Sequence, residues 1–334
     1  MNMKQLFIQL ITAMLLSLTA CQNEVIPEES GDKIALSFNL YRAELTKAES
    51  GSAQLTKGTK IRAYAYTKGT MTNDGSPVGS GDYVVNEAGT AVAVDDIGLT
   101  LYRGEYDIYL VSYNSQDFYP TANGAKNLIE VSNGKDFMYS NLKGISVQPT
   151  SAGEDMMSVT LPEPFTRLCS NVVIKVQANR TQPVSVSTLA VSSVNITKLS
   201  GNLSYQMGET VWNNGETIPQ TGTAGLGETD FSNGNNDNVQ AGRENTTPLV
   251  ILPLKGADPL VFELNLNIGY MKNGKLTHKI FPYRPKVYKS FLPGMTYEFE
   301  FTLTFFGDQE PTDLSLAILE YTTVKFSTDE VGKY

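Results

Sequence analysis

The 334-residue chain contains one histidine, two cysteines and one tryptophan. With a single histidine, His278, neither a hydrolytic Ser-His-Asp triad nor a histidine-rich metal site can be assembled. No spacing of carboxylates stands out as suited to acid and base catalysis. The sequence therefore predicts a protein that is not an enzyme and that carries no cofactor or metal.

Basic charge is also scarce in this chain. The formal net charge is -9, and the lysine and arginine residues are scattered rather than clustered. Nucleic acid would be repelled by such a protein, as would a surface of anionic lipid. Nucleic acid is therefore excluded as a partner, and electrostatic adhesion to a membrane is not expected.

Long helical and membrane-spanning patterns are missing too. No segment shows an apolar helical stripe over three turns, and the apolar run at 6–18 is too short and too often interrupted to span a bilayer. That run follows Lys4 and is followed by Ala20 and Cys21, which is the arrangement of a secretory signal. We expect a lipoprotein signal peptide over residues 1–20.

Cys21 stands where cleavage of the signal would leave it as the new N-terminus. The arrangement resembles the bacterial lipobox and predicts acylation of Cys21, with palmitate as a typical chain, so that lipid holds the protein in the outer membrane. Each buried methylene contributes roughly 0.8 kcal/mol, and firm anchoring takes more than one chain. A plain signal peptide with an incidental cysteine is the alternative. Residues 21–33 are predicted to form an acidic tether.

The second cysteine, Cys169, has no partner for a disulfide once Cys21 carries lipid. Its neighbours Leu168 and Val172 are apolar, which predicts a buried structural thiol. No internal disulfide is expected in the mature chain.

Apolar and polar residues alternate with a period of two through much of the chain, which is typical of half-buried strands. The alternation is longest at 260–268 and at 297–305, and the first of these is followed by Asn273-Gly274, a dipeptide typical of tight hairpins. Further strands are predicted at 34–40, 61–66, 106–113, 172–176 and, returning from the hairpin, 276–280. The predicted fold class is all-β, with short strands and turns typical of β-sandwiches.

Two blocks of strands are separated by a connector that contains two prolines. Residues 161–164 read Leu-Pro-Glu-Pro, and neither proline can donate to a strand ladder. We therefore predict an N-terminal β-sandwich domain over 34–164 and a C-terminal one over 165–334. Residues 206–245, rich in Gly, Asn and Thr, are predicted to form one long loop.

Five features follow one another along the chain: the lipobox, a first strand that ends near an arginine, the block Phe-Thr-Arg-Leu-Cys-Ser-Asn-Val-Val-Ile-Lys-Val at 165–176, the turn Leu-Pro-Gly-Met-Thr-Tyr at 292–297, and a final extended segment. In this order they resemble the fimbrillin-type subunits of type V pili. The resemblance implies two tandem β-sandwich domains of transthyretin-like topology, export as a lipoprotein to the outer membrane, and assembly into an adhesive fimbria at the cell surface.

The resemblance also implies how subunits join. In polymerising members an arginine-specific protease removes the lipidated N-terminus and the first strand, and a strand from another copy or from a related subunit fills the groove. Here the cut would fall between Arg42 and Ala43, within a polar stretch, with an ordinary surface arginine as the alternative. The removed strand would carry the apolar residues Ile34, Leu36, Phe38 and Leu40.

The segment 314–326 is the candidate for the donated strand. Both of its faces carry apolar residues, and such a strand should not stay free in water. One face carries Leu316, Ile318, Val324 and Phe326. The segment either completes its own sheet, which suits a terminal subunit or an unassembled precursor, or is donated to another subunit, which suits the shaft of a fibre.

A lipid-anchored glycan-binding protein of the outer membrane is the alternative function. Aromatic side chains in loops would serve as platforms for the sugars of a host or bacterial surface ligand. The chain offers Trp212, Tyr113, Phe118 and Tyr119 for this purpose.

Overall fold

The structure is a computed structural model. It describes residues 32–40, 55–71, 75–95, 98–123, 127–149, 155–178, 186–208, 211–212, 218–232, 243–256, 258–272, 274–307 and 314–323. In these ranges the regular structure is β-strand apart from one 3-10 helix, Glu228–Asp230. Among the described residues no helix is long and apolar enough to cross a membrane. The predicted all-β fold class is confirmed.

Twenty-three strands make up the described part of the chain. They are β1 (Ile34–Asn39), β2 (Lys60–Thr67), β3 (Gly79–Val85), β4 (Thr90–Ala93), β5 (Thr100–Leu101), β6 (Gly104–Ser112), β7 (Ala122–Asn123), β8 (Leu128–Val131), β9 (Met138–Val147), β10 (Met156–Thr160), β11 (Thr166–Arg167), β12 (Ser170–Ala178), β13 (Val186–Leu199), β14 (Leu203–Gln206), β15 (Val211–Trp212), β16 (Gly222–Gly227), β17 (Arg243–Glu244), β18 (Leu249–Ile251), β19 (Leu260–Lys272), β20 (Lys275–Tyr283), β21 (Lys286–Val287), β22 (Thr296–Gly307) and β23 (Leu314–Thr323).

The strands predicted from alternation are present. Residues of β12 alternate strictly between buried and half-buried positions, and β19 and β20 form the predicted hairpin. Gly274 in the turn has a φ of 73°, which glycine adopts readily because it has no β-carbon. On the returning strand Leu276, His278 and Ile280 are exposed, so His278 is a surface residue.

The N-terminal part of the chain forms one nine-stranded sheet. Its order is β10-β1-β4-β3-β2-β6-β9-β11, and β5 pairs with β1. Strands that are distant in this order, such as β1 and β9, contribute to one hydrophobic cluster, to which Phe38 and Leu142 both belong. The sheet therefore curls around its own core.

The C-terminal part forms two sheets that face each other. One has the order β17-β12-β22-β23 with β18 also paired to β12, and the other has the order β16-β13-β19-β20 with β21 also paired to β19. Both sheets contribute to one core. The rings of Phe262 and Phe299, one from each sheet, lie 4.9 Å apart. This arrangement is a β-sandwich.

A fourth sheet joins the two parts of the chain. Its order is β15-β14-β8-β7, so strands from both sides of residues 161–164 hydrogen-bond to each other. A third hydrophobic cluster, which includes Tyr109, Phe137 and Tyr205, likewise draws on both sides. The division into domains at 164 and 165 stays a prediction, and the two sides share a sheet and a core.

The prediction of one long loop over 206–245 is wrong for part of its length. Strands β15, β16 and β17 lie within it. Strand β16 is rich in glycine, which disfavours strands, but it pairs along the edge of the long strand β13. A β-carbon on Gly222 would lie 1.8 Å from the carbonyl oxygen of Ser200, so this pairing needs glycine at that position.

Candidate functional site

The strand β1 is hydrogen-bonded along both of its edges. On one side it runs parallel to β10 over five residue pairs, from Ala35 with Met156 to Asn39 with Thr160. On the other side it runs antiparallel to β5 near its start and to β4 near its end. Removing β1 would therefore expose two sheet edges at once, and each exposed edge presents unpaired N–H and C=O groups.

The side chains of β1 fill the core of the N-terminal sheet. Ile34, Leu36 and Phe38 are 3%, 2% and 0% exposed, and Leu40 packs partly buried against the same cluster. At about 1.5–3 kcal/mol for each fully buried side chain, the first three contribute on the order of 5–9 kcal/mol before entropy is counted. A groove without β1 would be both apolar and open.

The hydroxyl of Tyr83 completes the hydrogen bonding of β1 between β5 and β4. It donates to the carbonyl oxygen of Leu36 at 2.9 Å and accepts from the N–H of Leu99 at 2.8 Å. The ring of Tyr83 also meets the ring of Phe38 edge-on at 5.1 Å. Burial raises the pKa of Tyr83 to about 12. Loss of β1 would leave this buried hydroxyl without its acceptor.

A close approach of two backbone segments places β5 beside β1. The backbone at Leu99 passes so near β3 that a β-carbon on Gly81 would lie 2.3 Å from the nitrogen of Leu99. No side chain larger than hydrogen fits there, since real β-carbons do not approach other atoms so closely. Gly81 therefore shapes one wall of the groove that β1 occupies.

The strand β12 has the corresponding place in the C-terminal part. It runs parallel to β22 over eight residue pairs and antiparallel to β17 and β18. Between these two short strands the buried side chain of Asn245 accepts from the N–H of Ile174 at 2.6 Å and donates to the carbonyl oxygen of Val172 at 3.3 Å. The strands β1 and β12 therefore have similar surroundings. One edge of each pairs in parallel with a strand that comes late in the same part of the chain. The other edge pairs with two short antiparallel strands, and a polar side chain hydrogen-bonds to the backbone between them.

Neither bridging residue could be recognised from the sequence. Tyrosine is an ordinary occupant of strands, and Asn245 lies in the segment predicted as a loop. Nothing in the local pattern indicates that either side chain replaces a backbone partner.

The predicted donor segment is partly described. Its residues 314–323 form β23, which runs antiparallel to β22 along the edge of β22 that β12 leaves open. Leu316 and Ile318 belong to β23, whereas Val324 and Phe326 lie outside the described residues. In the described part of the chain no strand pairs with the corresponding outer edge of β10. The strand β23 is thus paired within its own chain, and its donation to another chain stays a prediction.

The residues predicted for lipidation and processing are not described. Cys21, Arg42 and Ala43 lie outside the described residues, as do the signal peptide and most of the tether. The described chain resumes at Leu55, before β2. The lipid anchor and the cut site therefore stay predictions.

Of the four aromatic residues predicted as sugar platforms, Tyr113 and Trp212 pack partly buried against the third cluster. Tyr113 and Trp212 each lie near Phe137, with ring centroids 5.9 and 6.1 Å from its ring. Phe118 is 56% exposed. The ring of Tyr119 instead lies 5.3 Å from the guanidinium carbon of Arg62.

Cys169 is the buried structural thiol that the sequence predicts. It is fully buried, and its thiol donates to the carbonyl oxygen of Lys135 at 3.2 Å. Burial raises its pKa to about 12, so the reactive thiolate is not populated at neutral pH. Within the ranges that the structure describes, no three His, Cys, Asp or Glu side chains group to hold a metal.

Comparison with known proteins gives one sequence family and several similar folds. A family model described as fimbrillin-like matches residues 46–318. A crystal structure of a proposed cell adhesion protein from Bacteroides fragilis aligns with 14% identity, covering 88% of this chain and 98% of that one, with a TM-score of 0.52. Another, from Bacteroides ovatus, aligns with 14% identity over 88% and 98% of the two chains, with a TM-score of 0.48. No curated protein sequence matches the chain.

Proposed function

Because the chain belongs to the fimbrillin-like family, we propose that it is a structural subunit of an adhesive surface fimbria that assembles by exchange of strands. It is exported as a lipoprotein through Cys21, held in the outer membrane, and carried into the fimbria once its N-terminal segment is removed. Its role is structural and adhesive, with no catalytic activity.

The position of β1 is the observation that carries this proposal. The strand is the first of the described chain, it is hydrogen-bonded on both edges, and its apolar side chains are buried. A subunit that loses it has a ready groove for an extended segment, which would bind by β-augmentation with its side chains in alternate pockets. Four apolar anchors and a restored ladder would then drive assembly.

The connection between β1 and β2 is where the protease would act. It contains Arg42, which follows β1 by three residues, and a cut there releases the whole strand. Arg62 is a poor competitor because it lies inside β2 and binds Asp82 through two hydrogen bonds of 2.5 and 2.7 Å. A protease needs an extended, accessible backbone, which a central strand does not offer.

The C-terminal segment that contains β23 is the proposed donor. It pairs with only one strand in the described part of the chain, β22, so it can be exchanged without disturbing the order of the other strands. Donation to the β1 groove of another copy or of a related fimbrial subunit would join subunits end to end.

Cleavage of the purified chain tests this proposal directly. The chain from Gln22 onward, uncut and free of lipid, is incubated with an arginine-specific protease. We expect one product that starts at Ala43, followed by a ladder of oligomers on gels. The variant Arg42→Lys should block both steps, whereas Arg103→Lys, at an exposed arginine, should change neither. A product that starts elsewhere, or a clipped chain that stays monomeric, would overturn the proposal.

A further inference from the structure

We propose that the loop 113–122, together with Lys60 and Lys135, binds carboxylate-bearing sugars of acidic glycans. The site, called here the aromatic–lysine surface, consists of Tyr113, Phe118, Tyr119, Lys60 and Lys135. This inference rests on the proposed adhesive function and deepens it, since it names the class of ligand to which the fimbria would adhere.

The surface is built from two lysines that lie over aromatic rings. The ammonium of Lys135 lies 4.1 Å from the ring centroid of Phe118 and 5.1 Å from that of Tyr113. The ammonium of Lys60 lies 5.1 Å from the ring centroid of Tyr119. Phe118 is 56% exposed, so a ligand can reach its ring from solvent. Exposed aromatic area and positive charge are therefore placed side by side.

These lysines carry the available positive charge of this region. Two neighbouring arginines are neutralised, because Arg62 pairs with Asp82 and Arg167 pairs with Asp136. Among the described residues neither Lys60 nor Lys135 forms an ion pair, and the ammonium of Lys60 donates to the backbone carbonyl of Asp117 at 3.0 Å.

The charges near the aromatic–lysine surface are balanced. Asp117 is the only acidic residue in the loop 113–122. A second carboxylate, that of Glu130, lies close enough to Tyr113 that it adds to the effect of burial in raising the pKa of Tyr113 to about 12. The two ammonium groups therefore face two carboxylates, and a ligand carboxylate would be held by its short contact with Lys135 or Lys60 rather than by an excess of positive charge. The long-range repulsion expected from a chain of net charge -9 is screened beyond about 8 Å at physiological ionic strength.

The loop is fixed in place before any ligand arrives. Asp136 accepts from the side-chain amide of Asn114 at 2.9 Å and from Arg167 at 2.8 Å, while the thiol of Cys169 holds the backbone of Lys135. Asn114 has a φ of 49°, a left-handed conformation that non-glycine residues adopt infrequently. Farther along the loop, Thr121 accepts from Arg62 at 2.8 Å. A binding surface held this way loses little entropy when a ligand binds.

The chemistry of the surface matches a uronic acid or another acidic sugar. The C–H groups on one face of a pyranose ring carry slight positive charge and are apolar, so they stack on the negative face of an aromatic ring. A carboxylate on the same sugar reaches an adjacent ammonium and forms a charge-assisted hydrogen bond. A neutral sugar gains only the first of these contacts, and an acidic peptide gains only the second.

Titration of the uncut chain with a defined oligosaccharide tests the proposal. The probe is trigalacturonic acid, with neutral galactotriose for comparison, and binding is followed by calorimetry and by NMR. We expect Lys135→Gln and Phe118→Ala each to weaken binding by about tenfold or more, equivalent to about 1.4 kcal/mol. The matched changes are Lys279→Gln, at another lysine that lies over an aromatic ring, and Tyr288→Ala, at an aromatic residue that is 76% exposed. These should alter binding less than about twofold.

Three outcomes would overturn the proposal: no binding of trigalacturonic acid, equal binding by all variants, or binding of hexaglutamate as tight as that of trigalacturonic acid. The last would mean simple anion exchange. Because the uncut monomer is used, a failure here leaves strand exchange untouched, and a failure to form oligomers leaves sugar binding untouched.

Discussion

The strands β1 and β12 have the same surroundings but different connections to the rest of the chain. Each pairs in parallel with one strand from later in its part of the chain, and on its other edge with two short antiparallel strands. The strand β12 is preceded within a few residues by β11, so two cuts would be needed to release it. One cut between residues 40 and 59 separates β1 from all later strands. The same pattern of pairing thus occurs in one strand that a single cut would separate from the later strands and in another that would need two cuts.

The two strands also differ in how firmly they are held. Parallel pairing extends over five residue pairs for β1 and over eight for β12. The bridging side chain of Tyr83 makes one hydrogen bond to the backbone of β1, whereas Asn245 makes two side-chain bonds to the backbone of β12. Since each hydrogen bond contributes about 1 kcal/mol net, β1 is the strand that costs less to remove.

The largest effect is expected from core truncation in either strand. Phe38→Ala should lower the free energy of unfolding of the uncut chain by about 3–5 kcal/mol, and Ile174→Ala by about 2–5 kcal/mol, because each leaves a buried cavity. Urea denaturation measures both. In cleaved and assembled material the Phe38 effect should vanish while the Ile174 effect persists. A persistent Phe38 effect would mean that β1 is not removed.

Substitutions of the two bridging side chains, Asn245 and Tyr83, should also differ in how much they lower the free energy of unfolding. Asn245→Ala leaves two backbone groups of β12 unsatisfied, at about 1–3 kcal/mol each. Tyr83→Phe also leaves two backbone groups without a partner, the carbonyl oxygen of Leu36 and the N–H of Leu99, but it keeps the packing against Phe38. Asn245→Ala in addition loses the bond to the carbonyl oxygen of Thr247 and most of a buried side chain. Denaturation in urea should therefore rank Asn245→Ala as the more destabilising change. The reverse ranking would contradict the view that β1 is held less firmly.

The groove wall gives a third and smaller comparison. Gly81→Ala should destabilise the chain by about 1–3 kcal/mol, because the added methyl collides with the backbone of Leu99 and overpacking has this cost. Gly227→Ala in the C-terminal part is the matched control, since the nearest atom to an added β-carbon there is 3.8 Å away. Thermal unfolding of both variants measures the difference. Equal melting temperatures would show that β5 can shift without cost.

The smallest expected difference is in how the stability of the chain and of its Tyr83→Phe and Asn245→Ala variants depends on alkaline pH. This difference is absent at neutral pH. The pKa of Tyr83 is raised to about 12 from an ordinary value of about 10. Between these values the unfolded chain releases the phenol proton and the folded chain keeps it, so stability falls as pH rises from about 10 to 12. The decline should be shallower in Tyr83→Phe and unchanged in Asn245→Ala. Parallel declines in all three proteins would show that Tyr83 does not contribute.

Sequence patterns were sufficient where a strand is long and has two distinct faces. The alternation through β12, β19 and β22 is strict enough to give both the strand and its buried side. The turn at Gly274 follows from local backbone chemistry. The burial of Ile34, Leu36 and Phe38 likewise follows from their spacing along β1.

Features that depend on distant partners could not be predicted. The strands β8 and β14 have four residues each, which is too short for a pattern, and their pairing across residues 161–164 is set by tertiary packing. The strand β16 exists because β13 offers it an edge. The hydroxyl of Tyr83 and the amide of Asn245 acquire their roles only once two other strands leave a gap.

The sheet formed by β7, β8, β14 and β15 determines how the subunit would behave under load. Two parts of a chain that are joined by a peptide linker alone can change their relative orientation freely. Here the hydrogen bonds of this sheet and the packed aromatic rings of the third cluster also connect the two parts of the chain. We therefore expect the two parts to resist a change in their relative orientation when force is applied along a fimbria. Trp212, the only tryptophan, sits in that joint, and its emission would change when the joint yields.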